Sequence, residues 1–171
     1  MPQESLTLYK LIVLYMLDRV DFPLTGAQIS EFILEKEYTN FLTLQQAISE
    51  LTEASLITAR PFGNRTQLLL TAEGTNTLAY FKDRISDAIK NEIRDFFMEH
   101  EIEMRNESSI LADYYKATTG EYEAHLVAKE KDLHLLDITL SVPTKESAAA
   151  ICDNWQRKNQ EIYRYLVEQL F

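Results

Sequence analysis

Thr25-Gly-Ala-Gln28, Thr43-Leu-Gln-Gln-Ala-Ile-Ser-Glu-Leu-Thr-Glu-Ala-Ser-Leu-Ile57, Arg60-Pro-Phe-Gly-Asn-Arg65 and Leu68-Leu-Leu-Thr-Ala-Glu-Gly74 follow one another in a single stretch, and their order decides the fold. The two Thr-x-x-Gln segments are capping boxes, in which the threonine oxygen accepts from the backbone amide three residues on and the glutamine reaches back. Each opens a short helix. Ile29, Phe32 and Ile33 supply the buried stripe of the first, and Leu44, Ala47, Ile48 and Leu51 that of the second. The segment Lys36 to Leu42 breaks the pattern and reads as the turn between them. Ile57 to Arg60 and Thr66 to Leu70 read as strands joined through Gly63-Asn64, a hairpin signal, and Thr71 caps the helix that follows. Two capped helices, a hairpin and a helix start are the layout of a winged helix-turn-helix.

Outside this stretch, Leu6 to Val20 reads as a first helix ending before Pro23, with Tyr9, Val13, Met16, Leu17 and Val20 on one face. From Ala72 to about Glu103 the apolar positions Leu78, Phe81, Ile85, Ile89, Ile93, Phe96 and Phe97 recur over several turns. They predict one long helix whose stripe needs a partner. Leu78, Phe81, Ile85, Ile89 and Ile93 are accordingly the candidate dimerisation residues. Beyond it, Ser108–Lys116, Tyr122–Ala128 and Leu133–Val142 read as strands with short turns between them, an antiparallel meander. Thr144 then opens a last helix with Ala148, Cys152, Trp155, Ile162, Leu166 and Leu170 on its inner stripe. The expected class is α+β. A winged-helix domain (1–75) leads through a connecting, dimerising helix (76–104) to a small α+β domain (105–171) with a three-stranded antiparallel sheet and a C-terminal helix.

Charge and composition narrow the chemistry. The net charge is −10, and the first 75 residues hold five Lys/Arg against nine Asp/Glu, so neither half is a basic module. Contact with nucleic acid has to come from a few placed residues. The run Leu11 to Leu17 is too short to span a bilayer and no signal-peptide pattern precedes it, so a cytoplasmic protein without membrane attachment is expected. Four glycines in all leave little material for a phosphate-cradling loop, and no nucleophile motif is present. An enzyme is not expected, nor any cofactor or metal.

In a winged helix the start of the second motif helix faces base edges and wing arginines meet phosphates. That maps to Thr43, Gln45, Gln46 and Ser49 on the helix and to Arg60 and Arg65 on the hairpin, with double-stranded DNA as the partner. The reading helix carries no Lys or Arg, and Glu50 and Glu53 lie on or beside its outer face. His134 shares parity with Leu136, Ile138 and Leu140, so it reads as a core histidine, with His125 on the neighbouring strand. Cys152 reads as a small buried thiol. Tyr114, Tyr115, Tyr122, Trp155, Tyr163 and Tyr165 gather in the last third, as core and dimer packing or as the lining of a ligand pocket.

Thr43 to Gly74 resembles the winged-helix regulators of the phenolic-acid and multiple-antibiotic-resistance repressor classes, in the Leu-Ile step that ends the helix and the Leu-Thr-x-x-Gly that closes the wing. Over nearly its whole length the chain resembles a bacterial family, domain of unknown function 4364. Lys10-Leu-Ile-Val-Leu-Tyr15, Asp21-Phe-Pro-Leu-Thr25 and Phe41-Leu-Thr-Leu-Gln-Gln46 with Leu51 carry that likeness. The resemblance implies a winged-helix domain followed by a small α+β domain in a transcriptional regulator. The expected function is therefore a dimeric DNA-binding regulator that reads a palindromic site. The alternatives are a winged-helix protein-interaction module without DNA binding, or a ligand-sensing regulator whose small-molecule effector binds the C-terminal unit.

Overall fold

The computed structural model describes residues 3–171, which form a mixed α+β chain divided into two compact units. The first reaches to Arg105 and the second runs from Asn106 to Phe171. Each contains one three-stranded antiparallel sheet.

Helix α1 (Gln3–Asp18) is the centre of the first unit. Leu11 to Leu14, Met16 and Leu17 are all buried, so this helix is enclosed on nearly every side instead of on one face. Strand β1 (Leu24–Thr25) is a two-residue segment that pairs with β3. Thr25 also caps α2 (Gly26–Glu35), with both halves of the expected capping box formed: Gln28 N donates to Thr25 Oγ1 at 3.1 Å and Thr25 N to Gln28 Oε1 at 2.9 Å. Helix α3 (Phe41–Glu53) starts three residues earlier than the second capping signature implies. Its cap is Asn40, whose Oδ1 accepts from Thr43 N at 2.9 Å. An Asn one turn upstream supplies the same acceptor, and Thr43 thereby becomes an interior position.

Helices α2 and α3 end alike. Tyr38 N donates to Ile33 O and Glu37 N to Leu34 O; Leu56 N donates to Leu51 O and Ser55 N to Thr52 O. These are paired Schellman closures, and each places a non-glycine residue in the left-handed region, Glu37 at φ 56° and Ser55 at φ 59°. Strands β2 (Ile57–Phe62) and β3 (Arg65–Leu70) form the hairpin, and the sheet order is β1-β3-β2. Gly63, at φ 63°, fills the first position of a two-residue turn, where a positive φ suits glycine.

Helix α4 (Ala72–Phe81) begins with a lock. Thr71 Oγ1 donates to Ser55 O (2.8 Å) and Leu56 O (3.0 Å) while accepting from Gly74 N (3.0 Å). Gly74 lies so close to this corner that a Cβ would stand 2.0 Å from Leu56 O. The Leu-Thr-x-x-Gly signature is thus a packing device: a hydroxyl to tie two chain segments together and a missing side chain to let them touch.

The single long helix expected from Ala72 to Glu103 is interrupted. A 3-10 turn (Lys82–Arg84) and an extended Ile85 (φ −86°, ψ 124°) separate α4 from α5 (Asp87–Ser109). No Gly or Pro marks the break. Instead Ile85 is drawn into the core at 2% exposure, and Ser86 Oγ accepts from Ile89 N to restart the helix. Ile93, Phe96, Phe97 and Met104 of α5 complete the first core.

In the second unit β4 (Ile110–Lys116), β5 (Tyr122–Glu130) and β6 (Leu133–Val142) form the expected meander, ordered β4-β5-β6. Residues 108 and 109, expected at the start of the first of these strands, belong to α5. Helix α6 (Lys145–Leu170) is capped by Thr144, which accepts from Ser147 N; it buries Ala148 and packs Cys152 and Trp155 on Ala124, Leu126 and Ala128. Trp155 Nε1 donates to Val127 O at 3.3 Å. His134 is not a core residue: its side chain is 53% exposed. The ladder slips between Ala128 and Lys129, so that Ala128 faces Leu136 while Lys129 faces His134. The bulge reverses the parity that placed His134 with Leu136.

Candidate nucleic-acid interface

The six residues assigned to DNA contact lie on two elements of the first unit, α3 and the β2–β3 hairpin. On α3, Thr43 is buried, with its backbone amide given to the Asn40 cap. Its side chain is therefore turned inward, and the exposed start of the helix is formed by Phe41 and Leu42, which are 55% and 79% exposed. A cap at Thr43 leaves both in the preceding turn. Asn40, a strong N-cap residue, was the available signal.

Gln45 and Ser49 make no side-chain hydrogen bond among the described residues, and Ser49 is exposed. Gln46 is engaged: its Nε2 donates to Glu50 Oε1 at 3.0 Å. Glu50 in turn pairs with Lys10 of α1. Hydrogen bonds from Lys10 and then Gln46 hold its carboxyl below the usual range. The outer face of α3 thus carries a carboxylate whose charge is countered from a neighbouring helix.

On the hairpin, Arg60 and Gln67 are cross-strand partners, and Arg60 Nε lies 3.4 Å from Gln67 Oε1. Arg65 faces Phe62 across the turn, its guanidinium 5.4 Å from the ring centroid. Each arginine is therefore held on the hairpin by the residue directly opposite it.

Behind this surface, Tyr38 in the α2–α3 turn donates its hydroxyl to Glu92 of α5 and packs beside Phe32, itself against Phe96. Burial, then the hydrogen bond to Glu92, pushes the Tyr38 phenol up to about 12. The tie fastens the turn between the two helices to the core.

The candidate dimerisation residues are committed elsewhere. Leu78, Ile85 and Ile93 are 0–2% exposed in the core of their own unit, and Phe81 and Ile89 pack against it. The large hydrophobic side chains left in solvent on these helices are Tyr80, Met98 and Ile102.

A surface cleft of about 450 Å³ between α1 and α5 is lined by Tyr15, Arg19, Asp87, Lys90, Asn91 and Arg94. Its cations are balanced by Asp87 and by Asp18 and Asp95, which pair with Arg19 and Arg94. In the second unit His125 Nε2 stands 2.7 Å from Asp137 Oδ1 on the sheet surface, with His134 Nδ1 3.6 Å from Oδ2. Cys152 is buried, and burial followed by the Asp113 and Asp153 charges pushes its thiol up, away from the reactive thiolate. Of the aromatic set only Trp155 is buried; Tyr114, Tyr115 and Tyr165 are exposed. No described helix is long and apolar enough to cross a membrane.

No curated protein and no solved structure matches the chain. Residues 9–170 match the family model described as Domain of unknown function (DUF4364). A match over nearly the whole of a chain with this two-unit architecture settles its affiliation: the chain belongs to the DUF4364 family.

Proposed function

We propose that the protein is a DNA-binding transcriptional regulator acting as a dimer, with a winged helix-turn-helix in its first unit. In this reading α2 and α3 are the motif helices, β2 and β3 the wing. The order helix, short strand, two capped helices and hairpin supports it. The observation that carries it is the pair of hairpin arginines, each held by a cross-strand partner on the hairpin that follows α3. Side chains already ordered lose less freedom on meeting phosphates. Gln45, Ser49 and the carbonyl of Gln46 read bases, Phe41 and Leu42 meet thymine methyls, and Arg60 and Arg65 hold the backbone. The Lys10–Glu50 pair moderates the repulsion between α3 and phosphate. Thr43 acts from inside the helix, through the cap.

Capture of sheared genomic DNA on the purified protein tests this, first at low and then at physiological salt. Palindromic fragments that survive the salt increase are expected. On such a fragment Arg65→Ala should weaken binding and flatten the plot of log affinity against log salt by about one unit. No enrichment by folded protein even at low salt would overturn the reading.

One observation favours a second reading, a winged helix that binds protein. Phe41 and Leu42 are large exposed apolar side chains on a chain of net charge −10, a combination suited to a basic partner with an apolar anchor point. Under that reading Leu42→Ala abolishes partner capture while Arg65→Ala does not.

A further inference from the structure

Strand β6 is one edge of the second unit's sheet, and its outer side is open. Among the described residues no strand pairs with it except β5. Beyond the bulge its register is unbroken from Leu136 to Val142. That run, Leu-Asp-Ile-Thr-Leu-Ser-Val, has no proline, lysine or arginine and one charge, Asp137. Long, β-prone, nearly uncharged edges pair with another strand unless something blunts them. The opposite edge, β4, is blunted by Asp113 and Lys116. β6 is not. Helix α6 packs chiefly over β4 and β5, so the helix-side row of β6 (Leu136, Ile138 and Leu140) stays partly in solvent, Leu140 at 42%.

We infer that β6 is a two-fold interface with a second copy of this chain, Leu136–Val142 pairing antiparallel with itself about Thr139 to give a continuous six-stranded sheet. In this register Leu136 faces Val142 and Ile138 faces Leu140, so apolar side chains meet on the helix side. On the other side the single carboxylate, Asp137, faces the Ser141 hydroxyl, and Thr139 faces itself. No like charges are opposed. Centring the pair on Asp137 would set two carboxylates face to face, and centring it on Ile138 would draw the bulged residues into the ladder. Odd shifts would turn the apolar row to the wrong side. A two-fold contact of this kind is self-complementary by construction, which favours a second copy over an unrelated peptide. The interface supplies the dimer that the DNA-binding reading calls for, yet it stands on the sheet edge alone.

Thr139 is exposed, and in this register it is the residue opposite its own copy. Mass in solution, measured by light scattering or sedimentation without DNA, therefore tests both interface and register. Wild-type protein is expected at twice 19.9 kDa. T139K and T139E, each opposing like charges, should each dimerise about tenfold or more weakly, and an equal mixture of the two should recover the dimer. T139C under mild oxidation should give a disulfide-linked dimer, since directly opposed residues have the required separation. A wild-type monomer, unaltered dimerisation of both charge variants, or a mixture no tighter than either alone would overturn the proposal. Because the readout is mass alone, failure of this interface and failure of DNA binding cannot be confused.

Discussion

Replacing Gly74 by alanine puts one methyl group into the tightest corner of the first unit. The new Cβ would lie 2.0 Å from Leu56 O and 2.8 Å from Leu70 Cδ1. The Leu70 methyl is the end of a flexible side chain and can swing aside. The Leu56 carbonyl is backbone, and it accepts from the Thr71 hydroxyl that caps α4. Relief therefore means moving α4 off the α3–β2 corner and loosening the cap with it. Overpacking of this kind costs about 1–3 kcal/mol, and a lost threonine cap about 1 kcal/mol more. The higher helix propensity of alanine offsets at most about 1 kcal/mol. A net loss of about 2 kcal/mol is expected, equivalent to a fall of roughly 1 M in the urea midpoint for a slope of about 2 kcal/mol/M. Gly26→Ala is the internal control: it too lies in the first turn of a helix, but nothing stands within 4 Å of its added Cβ. That variant should be neutral or slightly more stable. Far-UV CD in urea compares the two. Coincident midpoints for G74A and G26A would refute the idea that this contact fixes the corner.

The remaining expectations concern the first unit's turns. A phenol whose folded pKa stands near 12, above an unfolded value of about 10, contributes stability that is complete below pH 10 and is lost as pH rises toward 12. The stability gap between wild type and Tyr38→Phe should therefore narrow over that window, and a gap constant from pH 9 to 12 would exclude the Tyr38–Glu92 tie. Ser55→Gly relieves a side chain held at φ 59° and should raise stability by about 0.5–1 kcal/mol, read as a higher melting temperature. Glu37→Gly should do the same at φ 56°; a loss at either site would mean that its side chain makes a contact outweighing the strain.

Much of this architecture was legible because local chemistry and tertiary packing agree. The Thr25 capping box, the Gly63-Asn64 turn, the Thr71 cap and the three-strand meander all stand where residue types alone place them. The departures come where packing overrides a local signal. Helical periodicity runs unbroken through Ile85, yet burial of that side chain pulls the backbone into an extended conformation that no Gly or Pro announces. Asn40 and Thr43 are both competent caps, and the first wins because it leaves Thr43 interior. His134 follows strand parity until a bulge shifts it, and nothing in residue type foretells a bulge between Ala128 and Lys129. The candidate site was legible as two surfaces but not as pairings. Arg60 with Gln67, Arg65 with Phe62 and Lys10 with Glu50 depend on cross-strand register and interhelix distance, which periodicity does not encode.

The knot of hydrogen bonds at Ser55, Leu56 and Thr71 also sets the hairpin apart topologically. The chain leaves α3 and re-enters at α4 through the same point, so residues 57–70 form an excursion whose two roots are fastened to each other. Length added at the Gly63-Asn64 tip lengthens a loop that is already closed, at an entropic cost that grows only slowly with its size. The tip is thus a natural port for insertion, and a reporter or affinity tag spliced there leaves both roots, and the helices they join, where they are.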